Sequence, residues 1–267
     1  MLRDITLGQY YQADSVIHRM DPRVKLTATV CYIISLFVVD NAAGYIIAGL
    51  FLAMIIKLSK VPVKFMVRGM KAILFLLIIA VIFNLFLTPG EAVLSFWKLK
   101  ITREGIRLAC FMAIRLVFLI MGSSVMTLTT TPNNLTDGME KLLGPLKRLR
   151  VPVHEIAMMM SIALRFIPIL LEETDKIMKA QIARGADFES GNLIKKAKSL
   201  VPLLVPLFIS AFRRANDLAM AMEARCYRGG EHRTKMKPLI YQKRDRIAYA
   251  VVAVYLVLCV IFGRILF

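Results

Sequence analysis

Histidine and cysteine are scarce in this chain, with 3 and 4 copies among 267 residues. Cys31, Cys110, Cys226 and Cys259 form no CxxC or Cys/His spacing, which leaves no sequence basis for a zinc or redox centre. Three of them fall in or beside apolar runs, where cysteine packs as a small hydrophobe. Glu140, His154 and Glu155 make no recognisable metal site or catalytic pair, and nothing echoes a Ser/His/Asp arrangement. The Gly-x-x-x-x-Gly-Lys-Ser/Thr loop is missing too, so the chain is not expected to bind ATP in the P-loop manner. Any ATP or magnesium it depends on belongs to a partner. Acidic residues number 18 against 36 basic ones. The basic side chains form no tail and accompany no zinc-ligand spacing, which argues against a nucleic-acid partner. Residues 1–20 are polar and charged (Arg3, Asp4, Asp14, Arg19) and lack the apolar stretch of a cleavable signal.

What the chain does have is apolar length, at 58% hydrophobic residues. These gather in charge-free runs: Leu26–Val39, Asn41–Ile56, Ala72–Gly90, Leu116–Thr136 and Ile247–Gly263. Crossing a hydrocarbon core of about 30 Å takes roughly 17 to 25 helical residues. The third, fourth and fifth runs suffice alone, and Val24 to Leu58 holds a tight helical hairpin around Asp40-Asn41. The composition therefore predicts an all-α integral membrane protein with about five transmembrane helices, four N-terminal and one C-terminal. Basic loops mark the cytoplasmic side. Lys57, Lys60, Lys64, Arg68 and Lys71 place the second loop inside, and the uncharged-to-acidic Asp40-Asn41 turn outside. Residues 91–107 carry mixed charge and read as an outer loop, with Phe96 and Trp97 as an aromatic anchor at the outer boundary. Residues 132–246 hold 21 Lys/Arg and 12 Asp/Glu, and read as cytoplasmic. The expected divisions are 1–131 for the N-terminal spans, 132–246 for a cytoplasmic module and 247–267 for the last span.

The cytoplasmic module is helical in pattern. Leu135, Met139, Leu142 and Leu143 give a short amphipathic stripe that stops at Gly144-Pro145. A long helix is expected from Val153 to Ile182, bent at Pro168. A second runs from Ile194 to about Tyr227, with Pro202 and Pro206 inside it. Both have an apolar first half and a charged second half, a plan that suits two helices crossing against each other.

Each long helix ends in a similar tripeptide, Ala183-Arg184-Gly185 and Ala224-Arg225-Cys226, with Ala180 and Ala221 three positions before the first alanine. A basic residue in the last turn can simply answer the helix dipole, worth roughly 0.3–1 kcal/mol. The doubling suggests more. Small residues leave backbone-close surface for a partner, and a planar guanidinium past the helix tip binds carboxylates or carbonyls bidentately, as lysine cannot. Met158, Met159 and Met160 cover more than one helix face. They serve either as packing or as a contact surface that re-packs on different partners. Arg115, inside the fourth span, either snorkels to the interface or pairs within the bundle.

The stretch from Arg165 to Phe188 (RFIPILLEETDKIMKAQIARGADF) closely resembles the transmembrane T component of energy-coupling factor transporters, and Glu223–Gly229 (EARCYRG) resembles that family's second Ala-Arg-small motif. The likeness covers essentially the whole chain; Cys226 departs from the Gly or Ser usual there. The resemblance implies a non-enzymatic scaffold of a prokaryotic cytoplasmic membrane. Its two crossing coupling helices would dock two ABC-type ATPase subunits through Ala183, Arg184, Gly185, Ala224, Arg225 and Cys226. A separate substrate-binding S component, which captures a vitamin or metal ion, would contact the coupling helices, with Met158, Met159 and Met160 as its candidate contacts. The other readings are a membrane-embedded enzyme, for which the spans lack acidic or His clusters, and a self-sufficient secondary transporter, for which Arg115 is the one intramembrane charge.

Overall fold

Apolar stretches divided by short polar or Pro-containing turns fold as helices nearly throughout. The computed structural model describes residues 10–89, 92–96, 99–186, 188, 192–230, 234 and 236–265. Its helices are α1 (Pro22–Val38), α2 (Ala42–Ser59), α3 (Val63–Leu87), α4 (Arg103–Thr129), α5 (Pro132–Leu142), α6 (Val153–Ala183), α7 (Leu193–Ala224) and α8 (Lys243–Ile265). A 3-10 turn over Gly144–Leu149 precedes α6. Local chemistry sets several starts. Asp21 caps α1 by accepting from the Arg23 backbone N–H at 2.9 Å, with Pro22 in the first turn where its missing donor costs nothing. Thr102 caps α4 by accepting from the Gly105 N–H at 3.1 Å.

One element departs from the loop expected over residues 91–107. β1 (Ala92–Phe96) and β2 (Leu99–Thr102) pair antiparallel, with Phe96 opposite Leu99, and α4 begins at Arg103. Two strands of five and four residues are too short for composition to separate from a loop. The Thr102 hydroxyl closes the base of the hairpin by donating to the Thr88 carbonyl at 2.9 Å. Trp97, the expected outer anchor, lies outside the described residues.

Apart from this hairpin the protein is an all-α membrane protein. Among the described residues four helical stretches are long and apolar enough to cross a membrane: Ala42–Ser59, Arg103–Thr129, Val153–Ala183 and Lys243–Phe262. The third is α6, whose first half is as apolar as a span although the basic balance of its neighbours reads as cytoplasmic. α1 has 17 residues and the apolar part of α3 runs from Ile73 to Phe86, both shorter than those four.

The chain forms two compact units, Gly8–Lys141 with Leu239–Phe267, and Leu142–Pro238. In the first, pairs of side-chain bonds fix the register of the helices. The Lys25 ammonium donates to the Thr129 carbonyl at 2.8 Å, and at the other end Arg115 reaches the Val39 carbonyl at 3.2 Å and Asp40 at 2.9 Å. α1 and α4 therefore run antiparallel, fourteen residues of one matched to fourteen of the other. The Asp21 N–H donates to Asp245 at 2.9 Å, and Ser35 shares a 2.6 Å hydrogen bond with the Tyr255 hydroxyl, which sets α8 parallel to α1. The core between them holds buried Tyr32, Leu36, Tyr45, Phe51, Leu52, Tyr255 and Cys259. The Phe51 and Tyr255 rings stack at 4.1 Å. Gly122 lets α4 approach this core closely, since a Cβ there would come within 2.6 Å of the Tyr32 ring. Arg115 is thus a pairing residue: its Nε also donates to the Tyr45 hydroxyl at 2.9 Å, and the α1–α2 turn absorbs its charge.

Candidate docking site

The second unit is dominated by α6 and α7, which meet through a few side-chain contacts. Pro206 has no N–H, so the Pro202 carbonyl four residues earlier loses its intrahelical donor. Gln181 of α6 supplies a replacement, donating its side-chain amide to the Pro202 carbonyl at 3.4 Å. Farther along, Arg214 of α7 pairs with Glu173 of α6 at 2.6 Å. Beyond α7, Gly230 lies so close to His154 at the start of α6 that a Cβ would fall 2.2 Å from the imidazole. Read in order (154 with 230, 173 with 214, 181 with 202), these contacts make the pair antiparallel over its whole length. Its two C-terminal tips therefore point to opposite ends. Twenty-three residues of α7 separate Pro202 from Arg225, which puts the tips roughly 35 Å apart.

The tips themselves are built alike. At the end of α6, Gly185 takes the left-handed conformation (φ 87°); its N–H donates to the Ile182 carbonyl at 2.9 Å and the Ala186 N–H to Gln181 at 2.9 Å. At the end of α7, Cys226 takes the same conformation (φ 55°); its N–H donates to Glu223 at 2.8 Å and the Tyr227 N–H to Met222 at 3.0 Å. Both are Schellman terminations, with the arginine as the capping residue and the small residue immediately after it. Ala183, Arg184, Gly185, Ala224, Arg225 and Cys226 are all exposed. Neither guanidinium has an ion pair or hydrogen bond among the described residues. A Cβ at Gly185 would meet nothing within 4 Å, so the surface around that tip is open. Chemically, each tip offers one unpaired planar cation on a flat, small-residue platform.

The methionines divide across the helix as expected for a triple repeat: Met159 and Met160 are exposed, and Met158 is half-buried. Sequence reasoning overlooked a further surface. Leu200, Leu204, Phe208 and Phe212 recur every four residues on α7, with Val201, Val205 and Ile209 beside them, and all seven are exposed. That spacing is the signal of a single helical stripe. In the sequence these residues show only as the apolar first half of the helix expected from Ile194. A continuous apolar stripe of this length on an open helix pair is a surface meant to be covered.

Known proteins resemble this chain over nearly its whole length. The family model described as cobalt transport protein matches residues 13–236. The energy-coupling factor transporter transmembrane protein EcfT of Clostridium kluyveri is 57% identical over 267 residues, covering 99% of this chain and 98% of that protein. The protein of the same name from Ruminiclostridium cellulolyticum is 52% identical over 267 residues, with 100% of both chains covered. The one from Bacillus subtilis is 46% identical over 246 residues, covering 92% of this chain and 93% of that protein.

Proposed function

We propose, from the premise that this chain belongs to the family of energy-coupling factor transporter transmembrane proteins, that it couples ATP-driven movement of two ATPase subunits to a separate substrate-binding protein. As a member of that family it is a multi-pass membrane component of a transporter and not itself an enzyme. The finer reading is carried by one observation: two terminations of the same geometry, each presenting an exposed, unpaired arginine, sit at opposite ends of one antiparallel helix pair. Two like sites about one helix length apart suit a two-fold pair of partners better than a single one.

In this reading Arg184 and Arg225 each enter a groove on one ABC-type ATPase subunit. Ala183, Gly185, Ala224 and Cys226 permit close approach. ATP and magnesium are bound by those subunits, and α5, α6 and α7 face the cytoplasm of a prokaryotic cell. The pair is tied by Glu173–Arg214 and Gln181–Pro202, so a displacement of one tip is carried to the other as a rigid-body movement. The S component rests on the apolar surface that includes Met158, Met159 and Met160, and it selects the vitamin or metal ion. The family description names cobalt, whereas the relatives' names give no substrate; in this reading the S component makes that choice. A self-sufficient secondary transporter is the weaker reading, since Arg115 is engaged with Asp40 and Tyr45 and is not held free for a substrate.

The test is charge reversal at both tips. Arg184→Glu with Arg225→Glu, expressed from the native operon, loses co-purifying ATPase while inserting in the membrane at the wild-type level. Stoichiometric ATPase in the eluate of the double variant overturns the reading.

A further inference from the structure

The membrane-spanning unit contains a cavity that the coupling role does not use. It measures about 330 Å³ and lies among α1, α2, α4 and α8, with Tyr32, Phe51, Val125 and Val252 in its wall. Protein interiors leave few voids larger than a water molecule, and a lining this apolar does not hold water. Its rim includes Met54 and Leu58 of α2 and Ile247 and Val251 of α8, all exposed, so it opens sideways between these two helices, where lipid lies.

One end of the cavity is charged. Lys25 near the start of α1 and Arg244 at the start of α8 both line it, beside Thr129 at the end of α4. Two carboxylates lie nearby, but both are engaged. Asp21 pairs with Arg23 at 2.7 Å, and Asp245 accepts the N–H groups of Asp21 and Gln242 at 2.9 and 2.8 Å. Lys25 spends two of its donors on the carbonyls of His18 and Thr129, which neutralise none of its charge. Arg244 Nε is buried and has no hydrogen-bond partner among the described residues. With Arg23 included, the cluster carries three cations and two anions. Two of the three cations, Lys25 and Arg244, line the cavity, whereas neither carboxylate does.

From Lys25 to Tyr32 and from Arg244 to Val252 the lining extends seven to eight residues, roughly 10–12 Å of helix, or about a third of a bilayer's hydrocarbon core. A cationic rim over an apolar slot of that depth, opening to the bilayer, has the chemistry of a phospholipid. We propose that the cavity takes the proximal part of one acyl chain of an anionic phospholipid, whose phosphate sits against Arg244 and Lys25. Basic pockets between transmembrane helices on the cytoplasmic side bind anionic headgroups in this manner. The choice of leaflet rests on the cytoplasmic placement proposed above; the site itself does not.

The assembled transporter, in nanodiscs of phosphatidylcholine and phosphatidylglycerol with the same acyl chains, is released into native mass spectrometry. Wild type is expected to retain phosphatidylglycerol over phosphatidylcholine. Arg244→Gln is expected to lower that preference about fivefold, the effect of one basic side chain near an anionic surface. Ala28→Phe, which fills the slot with a ring, is expected to reduce retention of both lipids. ATPase co-purification, read in the same samples, stays at the wild-type level, which separates this test from that of the coupling role. Equal retention of the two lipids by wild type overturns the proposal, as does a preference that Arg244→Gln leaves unchanged. Displacement of the retained lipid by excess inorganic phosphate overturns it in favour of a free-anion site, and a partner's helix found in the slot overturns it in favour of a protein interface.

Discussion

Exchanging the residues that terminate the two long helices tests the tip geometry most directly. Gly185 (φ 87°) and Cys226 (φ 55°) occupy equivalent left-handed positions, but only glycine does so without a steric cost. An L-residue in that conformation pays roughly 1–2 kcal/mol, offset by about 0.4–1 kcal/mol because glycine is freer in the unfolded chain. Gly185→Ala therefore destabilises the end of α6 by about 1 kcal/mol, and Cys226→Gly stabilises the end of α7 by a similar amount. A Cβ at Gly185 meets no neighbour, so its cost is purely one of backbone conformation. The effect is local and is best read by hydrogen exchange at the amides that close each turn, Gly185 and Ala186 on α6 and Cys226 and Tyr227 on α7. Exchange changes about fivefold for each kcal/mol of local opening, faster in Gly185→Ala and slower in Cys226→Gly. The tips are roughly 35 Å apart, so the combined variant shows the two effects independently. Changes of the same sign in the two variants, or faster exchange in Cys226→Gly, refute the equivalence of the tips.

Three further outcomes are expected. Gln181→Leu leaves the Pro202 carbonyl without its donor and costs about 0.5–1 kcal/mol by thermal unfolding in detergent; the same change in a Pro206→Ala background costs almost nothing, because residue 206 then supplies the intrahelical N–H. Ser35→Ala removes the partner of the Tyr255 hydroxyl, both groups being buried, and lowers stability by about 1–3 kcal/mol; adding Tyr255→Phe costs little more. His18, whose Nδ1 shares a hydrogen with the Ser15 hydroxyl and whose Nε2 donates to the Tyr11 carbonyl, has its pKa lowered from 6.5, chiefly by burial. Its folded form is thus neutral: the stabilisation is complete above the ordinary value and fades as pH falls through the lowered one. Protection of residues 10–21 therefore declines below about pH 6.5 in wild type and not in His18→Asn.

Much of the architecture could be read along the chain. The helix from Val153 and the one from Ile194 were expected within a few residues of where α6 and α7 lie, because apolar periodicity, a stop at glycine and a charged second half are local signals. The hairpin joining α3 to α4 was missed, its strands being too short to show a period. The tip arginines were legible as a repeated pattern. That Cys226 adopts the glycine conformation was not, since nothing in a cysteine's own preferences favours φ above zero.

The sequence by itself determined that this is a helical membrane protein with twin arginine tips, because hydropathy, charge and local repeats act over one or two helical turns. Only the tertiary structure decided which helices are neighbours. It set α8 beside α1, gave Arg115 to Asp40 and Tyr45, left a cationic slot between Lys25 and Arg244, and turned α6 and α7 into an antiparallel pair with its tips at opposite ends. Apolar helices are alike to a hydropathy scale. Their partners are chosen by shape and by a few buried polar groups, such as the Lys25 ammonium and the Ser35 hydroxyl, whose bonds are satisfied by residues far away in the chain.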